Sequence, residues 1–218
     1  MIGAFMMTRQ HISLDHPGRE HDACGVGFVA RLDGRPAHRV IEDALSAMTS
    51  LAHRGGLASG RGEGDGAGLL LPLPLDFLSR FWTLPSVFGF GQLFLPRDAV
   101  AEKKAMDIVR EALAAHDLEL KDGRDVPVRP EALGPQARAQ LPHIIQILVL
   151  PRANTASVSG TASSHLPAVV SPLLEPGEEL ERRLYLARKH MERAAIGVPG
   201  LEDFYVASLS SRSIVYKA

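Results

Sequence analysis

The segment His21-Asp22-Ala23-Cys24-Gly25-Val26-Gly27-Phe28-Val29-Ala30 constrains this chain more than any other, because it holds the single cysteine of 218 residues just before two glycines. Alternation of Val26, Phe28 and Ala30 with Gly25, Gly27 and Val29 predicts a strand, and the glycines leave its backbone open to close approach. A thiol at the start of such a strand is within reach of a substrate. Ala23 is small, and cleavage after it would give Cys24 both a thiol and a free α-amine. That amine has a reference pKa of about 8, so it can act as the base that activates its own thiol. The residues point to an N-terminal nucleophile. A lone cysteine is also commonly a small buried hydrophobe, and that reading competes. A lipoprotein attachment site does not: it needs an apolar run of roughly 7–15 residues upstream, which Thr8-Arg9-Gln10-His11 and 16–22 interrupt.

The rest of the composition narrows the function classes. Net charge is −1, so bulk charge draws the chain to neither nucleic acid nor an anionic membrane. No stretch reaches the roughly 18–20 apolar residues of a membrane span. One cysteine excludes an internal disulfide framework and fits a reducing compartment, so the expected location is cytoplasmic. Nine histidines are scattered without metal-ligand spacing, and no metal is expected.

Residues 1–23 carry a Pro17-Gly18 turn signal and no periodicity, and read as a tail. The first strand ends at the Asp33-Gly34 turn signal. A helix is predicted over 37–52, its apolar face formed by Ile41, Ala44, Leu45, Met48, Leu51 and Ala52 and expected to pack on a core. His53-Arg54-Gly55-Gly56 ends it, glycine providing the stop. The glycine-rich loop to Gly68 lacks a phosphate-binding signature, because Leu69-Leu70-Leu71-Pro72-Leu73-Pro74 puts prolines where a helix would have to follow. A tight loop entering a strand is the better reading.

Phe88, Phe90, Gln92 and Phe94 alternate with Gly89, Gly91, Leu93 and Leu95 as a strand with no preferred face. A helix is predicted over 97–116, with Ala101, Ala105, Ile108, Val109 and Ala112 inward. Pro127, Pro130, Gly134 and Pro135 read as connecting turns, and Ile144-Ile145-Gln146-Ile147-Leu148-Val149-Leu150 as a buried strand. Residues 152–176 form an irregular, Ala/Ser/Thr/Pro-rich insert. A helix over 178–195 follows, with Leu180, Leu184, Ala187, Met191 and Ala194 as its stripe. Its basic residues could suggest RNA but read better as the solvated face. Residues 204–209 and 213–217 are predicted as strands joined in a hairpin at Ser210-Ser211-Arg212. Mixed helices and hairpins without regular βαβ alternation give an α+β class.

Several blocks extend the pattern around Cys24. His21 to Phe28, then Ala52-His53-Arg54-Gly55, Gly64-Asp65-Gly66-Ala67-Gly68, Phe94-Leu95-Pro96-Arg97, Glu181-Arg182-Arg183-Leu184-Tyr185, 204–212 and Ile214-Val215-Tyr216-Lys217 occur in this order. In these blocks the chain resembles the N-terminal class II glutamine amidotransferase domain of glutamate synthase large subunits. The resemblance covers residue 20 to the end. It implies the four-layer αββα sandwich of N-terminal nucleophile hydrolases, incomplete at its C-terminal end, with 1–23 a propeptide and 24–218 the domain.

It further implies that Cys24 attacks the side-chain amide of L-glutamine and releases ammonia for glutamate synthesis from 2-oxoglutarate. Arg54 and Gly55 would support the pocket, Arg54 being otherwise a cation suited to a helix C-terminus. Gly56-Leu57-Ala58-Ser59-Gly60 departs from the family, which usually has an acidic residue here. No cofactor is expected on this chain; FMN and an iron–sulfur cluster belong to the remainder of the large subunit. That remainder, and a small subunit, are the implied partners, with no nucleic acid and no membrane. The family's oxyanion donors, an Asn-Gly pair, follow the Tyr-Lys block, while the sole asparagine here, Asn154, precedes Thr155. The chain alone is therefore expected to be inactive. Two other readings stand beside this one: a catalytically incomplete remnant or regulatory module of the fold, and an N-terminal nucleophile amidase for another substrate.

Overall fold

The computed structural model describes residues 25–51, 66–152 and 176–217. The chain divides into two compact units, one within Met1–Gly56 and one within Leu57–Ala218. In the first unit the Asp33-Gly34 pair makes the expected turn. Gly34 sits at φ +64°, a conformation glycine adopts without strain. The Arg31 guanidinium grips the Asp33 carboxylate, which also accepts from the Arg35 N–H at 3.2 Å. Helix α1 spans His38–Ser50, close to the predicted 37–52.

Two expectations fail in this unit. Residues 26–30 do not form a strand, because a strand needs a hydrogen-bonded partner and the unit has none among its described residues. Val26 and Phe28 are 92% and 93% exposed. Nor does α1 reach a core: none of its residues is buried, and Leu45 is half exposed. An amphipathic stripe becomes a core only against a second apolar layer, and one helix beside one irregular segment does not supply it.

The second unit has two antiparallel sheets. Strands β1 (Gly68–Pro72) and β6 (Ser213–Lys217) pair in one. Strands β2 (Gly89–Leu95), β3 (Leu118–Asp125), β4 (His143–Pro151) and β5 (Tyr205–Ser210) form the other, in the order β3-β4-β2-β5. Helices α3 (Ala99–Ala114) and α5 (Pro176–Ala195) cover one face of this larger sheet. Ala105, Val109, Leu113, Leu184, Ala187 and Met191 pack there on Leu93, Leu95, Ile145, Ile147 and Val149. Asp98 starts α3 by accepting from the Val100 and Ala101 N–H groups at 3.1 and 2.9 Å. Gly197, at φ +72°, stops the chain from continuing α5.

The opposite face carries a second core. Phe90 and Leu148 meet Ile214 of the small sheet, with Leu78 from the short helix α2 (Leu75–Leu78) and Trp82 beyond it. Because both faces of β2 and β4 are covered, their sequences run apolar without a polar side. The order of layers is helices, four-stranded sheet, two-stranded sheet.

Strand β3 was not expected. No element is predicted between the 97–116 helix and Pro127, because charged residues fill 121–125; as an edge strand β3 needs burial only at Leu118 and partly at Leu120. Its ladder shifts register between Leu120 and Asp122. Between β3 and β4, Pro130–Ala132 forms a 3-10 turn and Pro135–Ala139 a short helix α4, in place of simple turns. The predicted hairpin is also corrected. Strand β5 pairs with β2, β6 pairs with β1, and the two do not pair with each other. Most of the insert, 153–175, lies outside the described residues. Among those described, no helix is long and apolar enough to cross a membrane.

Candidate active site

Cys24, Arg54 and Gly55, together with the 1–23 segment and the loop 52–65, lie outside the described residues. Their immediate neighbours in sequence do not. At Gly25, the position of an added Cβ would be 3.1 Å from Leu51 Cδ1 and 3.4 Å from Leu51 Cβ. Leu51 ends α1, its N–H bonded to the Ala47 and Met48 carbonyls. The residue after the cysteine thus passes against the residue three before the arginine. A side chain at position 25 would force one of them to move, which is the requirement the glycine meets.

A second polar constellation sits in the second unit, between its sheets, and sequence reasoning did not single it out. Gln92 and Gln146 are directly opposite in the β2–β4 ladder and only 2% and 0% exposed. Gln146 Nε2 donates to Gln92 Oε1 at 3.2 Å, and Arg124 Nε donates to Gln146 Oε1 at 2.9 Å. The Arg124 guanidinium lies 3.9 Å from the centre of the Phe81 ring. Nearby, the Trp82 indole N–H donates to Asp122 at 2.9 Å.

Burial pushes the Tyr216 hydroxyl above its ordinary range, against the opposing effects of a hydrogen bond with Gln146 and the Arg124 charge. Among the described residues, no buried side-chain polar atom lacks a partner. Satisfied at each member, the row can hold the two sheets in one register; it offers no activated nucleophile. The signal that could have revealed it is a glutamine in the middle of each of two buried strands.

The third feature is where the chain leaves one sheet for the other. Ser211 donates from both N–H and Oγ to Glu181 Oε2, each at 2.7 Å. Ser210 Oγ accepts from the Arg212 and Ser213 N–H groups, and Ser208 Oγ accepts from Val215 N–H at 3.1 Å. Burial raises the Glu181 carboxyl. Hydrogen bonds from Ser210 and Ser211 and the nearby Arg212 charge outweigh that, leaving it below the usual carboxylate range. These hydroxyls satisfy donors that a hairpin ladder would have used, which is why the hairpin opens into a crossover. Two of the resemblance blocks, one holding Glu181 and the other Ser211, therefore bind each other directly. No group of three His, Cys, Asp or Glu side chains among the described residues could hold a metal ion.

Comparison with known proteins agrees with the sequence blocks. A family model described as "Glutamine amidotransferases class-II" matches residues 24–218. The chain is 38% identical over 205 residues to "Ferredoxin-dependent glutamate synthase 2" of Synechocystis sp., covering 91% of the chain and 12% of that protein. It is 34% identical over 209 residues to "Glutamate synthase [NADPH] large chain" of Azospirillum brasilense, covering 93% of the chain and 12% of that protein. "Ferredoxin-dependent glutamate synthase 2, chloroplastic" of Arabidopsis thaliana is 32% identical over 205 residues. The chain thus spans about 12% of the length of these relatives.

Proposed function

The chain belongs to the class II glutamine amidotransferases, and from that premise we propose that it is the glutaminase part of a glutamate synthase. The observation that carries this reading is where the family match begins. It starts at Cys24, the residue whose thiol and α-amine would be exposed by removal of 1–23. The four-layer αββα sandwich is the finer fold that goes with the reading, and the helix–sheet–sheet succession of the second unit supports it.

In the proposed reaction the Cys24 α-amine, directly or through a water, takes the thiol proton, and the sulfur attacks the carboxamide carbon of the glutamine side chain. The tetrahedral adduct collapses as the amide nitrogen takes up the proton and leaves as ammonia. The product is a γ-glutamyl thioester on Cys24. Water then adds to the thioester, glutamate leaves and the thiol is restored. Arg54 and Gly55 are proposed to support the pocket; the contact of Gly25 with Leu51 favours this, since it joins the sequence neighbourhoods of Cys24 and Arg54.

Ammonia would pass to the remainder of a glutamate synthase large subunit for reaction with 2-oxoglutarate, with a small subunit as a further partner and the cytoplasm as location. FMN and the iron–sulfur cluster are assigned to that remainder. An iron–sulfur cluster is held by several cysteine thiolates, and this chain has one cysteine.

Glutaminase assays of the intact protein test the reading. Cys24→Ser is expected to lower turnover by at least about 10³-fold, as removal of a nucleophile does. Ala23→Pro, which blocks cleavage but keeps the thiol, should do the same. Full turnover in Cys24→Ala would refute the nucleophile, and full turnover in uncleaved Ala23→Pro would refute the amine as base.

A further inference from the structure

Beside the β3 edge an arginine is held in place with its charge unmet among the described residues. Arg124 sits directly across the ladder from Gln146 and donates from Nε to Gln146 Oε1 at 2.9 Å. Its guanidinium centre lies 3.9 Å from the centre of the Phe81 ring, 5.5 Å from that of Phe77 and 5.8 Å from that of Trp82. Asp122 shares that face of the strand, but its carboxylate accepts from the Trp82 indole N–H at 2.9 Å and the Gly123 N–H at 2.8 Å. Among the described residues no ion pair engages Arg124, and no hydrogen bond engages its Nη groups. No buried side-chain polar atom among them lacks a partner, so both Nη groups reach the surface. The rings around it are exposed too, Phe77 by 37% and Phe81 by 47%.

An arginine that only covers apolar surface lays its stem there and leaves its head to water. Here the head itself is stacked and Nε is bonded, so the two Nη groups form a fork that is fixed before any ligand arrives. A planar fork takes a carboxylate in two parallel hydrogen bonds. The flanking rings add an apolar collar, and aromatic rings with arginine are the residues enriched at the centres of protein interfaces. The chain spans about 12% of the length of its relatives, so in a protein of their length most of the polypeptide lies outside this domain and packs on part of its surface. We propose that Arg124, Phe77 and Phe81 receive a glutamate or aspartate side chain of that further polypeptide, its carboxylate on the Nη groups and its apolar neighbours on the two rings. The identity of the occupant rests on the glutamate synthase reading above; the surface does not.

The full-length polypeptide with benzoylphenylalanine in place of Phe81 tests this under ultraviolet light, the links being located by mass spectrometry. Position 81 is expected to link to a segment beyond residue 218 that holds a glutamate or aspartate. Arg124→Glu should lower the yield at least about threefold. Arg124→Lys, which keeps the charge but not the fork, should lower it less. Changing the linked acidic residue to arginine should restore the yield lost in Arg124→Glu. The same probe at Val100, 77% exposed on α3, should give yields that Arg124→Glu leaves unchanged. Links confined to residues 1–218, a yield unmoved by Arg124→Glu, or no restoration by the charge swap would overturn the docking. Ammonia release from glutamine by the same preparations keeps the two readings apart. Release without the links refutes only the docking, and links without release refute only the glutaminase reading.

Discussion

Gln146 shows what a single residue decides in this fold. Its amide both donates to Gln92 and accepts from Arg124 at a position with no solvent exposure. Gln146→Leu would leave the Gln92 carbonyl oxygen and the Arg124 Nε–H without these partners inside the protein. Each such group costs about 1–3 kcal/mol, so urea unfolding should register a loss of about 2–4 kcal/mol. Gln92→Leu combined with Gln146→Leu should recover at least about 1 kcal/mol of it, since removing both polar partners is far less costly than removing one. A double variant weaker than Gln146→Leu alone would show that the row does not act as a pair. The burial of Gln146 was legible in the apolar run around it; its partner was not. Cross-strand pairing depends on the β2–β4 register, which joins residues 54 positions apart and leaves no trace in local periodicity.

At the level of elements, the best-read parts are those whose pattern is set by burial on a continuous face. Helices α3 and α5 and strands β2 and β4 came out near their predicted bounds because the packing layers they meet lie within one unit. Strand β3 escaped notice because an edge strand tolerates the charges that also mark turns. The supposed β5–β6 hairpin misled because hydroxyl side chains at 208, 210 and 211 take over the roles of ladder partners. Glu181 is the joint of that crossover, and its charge should be measurable as acid sensitivity.

A carboxyl whose pKa is lowered on folding contributes stability above its unfolded value and loses it as pH falls through the folded value. For Glu181 the loss begins below about 4.5. Glu179, pulled down to about 2 by Arg182 and Arg183, and Glu192, where hydrogen bonds from Lys189 and Arg188 outweigh burial, act in the same direction. Stability should therefore fall from about pH 5 to pH 3. Glu181→Gln should be less stable at neutral pH by about 1–2 kcal/mol and should fall less steeply with acid. A wild-type acid slope unchanged in Glu181→Gln would show that this carboxylate does not bear on the crossover.

For the molecule as a whole, the family was legible because its motifs occur in fixed order, and the stretch from Cys24 onward is what the family match covers. The arrangement around the proposed nucleophile was not legible in the same way. The residues proposed for it, Cys24, Arg54 and Gly55, lie outside the described residues, and only the contact of Gly25 with Leu51 bears on it. The central claim is that Cys24 is an N-terminal nucleophile for glutamine. It is tested most directly by treating purified protein that carries the completed amidotransferase domain with a diazo-ketone analogue of glutamine and finding the labelled peptide by mass spectrometry. The expected result is one adduct per chain, on the Cys24 sulfur of a peptide that begins at Cys24, competed away by L-glutamine. A chain that still begins upstream of Cys24 and carries no adduct, or an adduct on another residue, would contradict it.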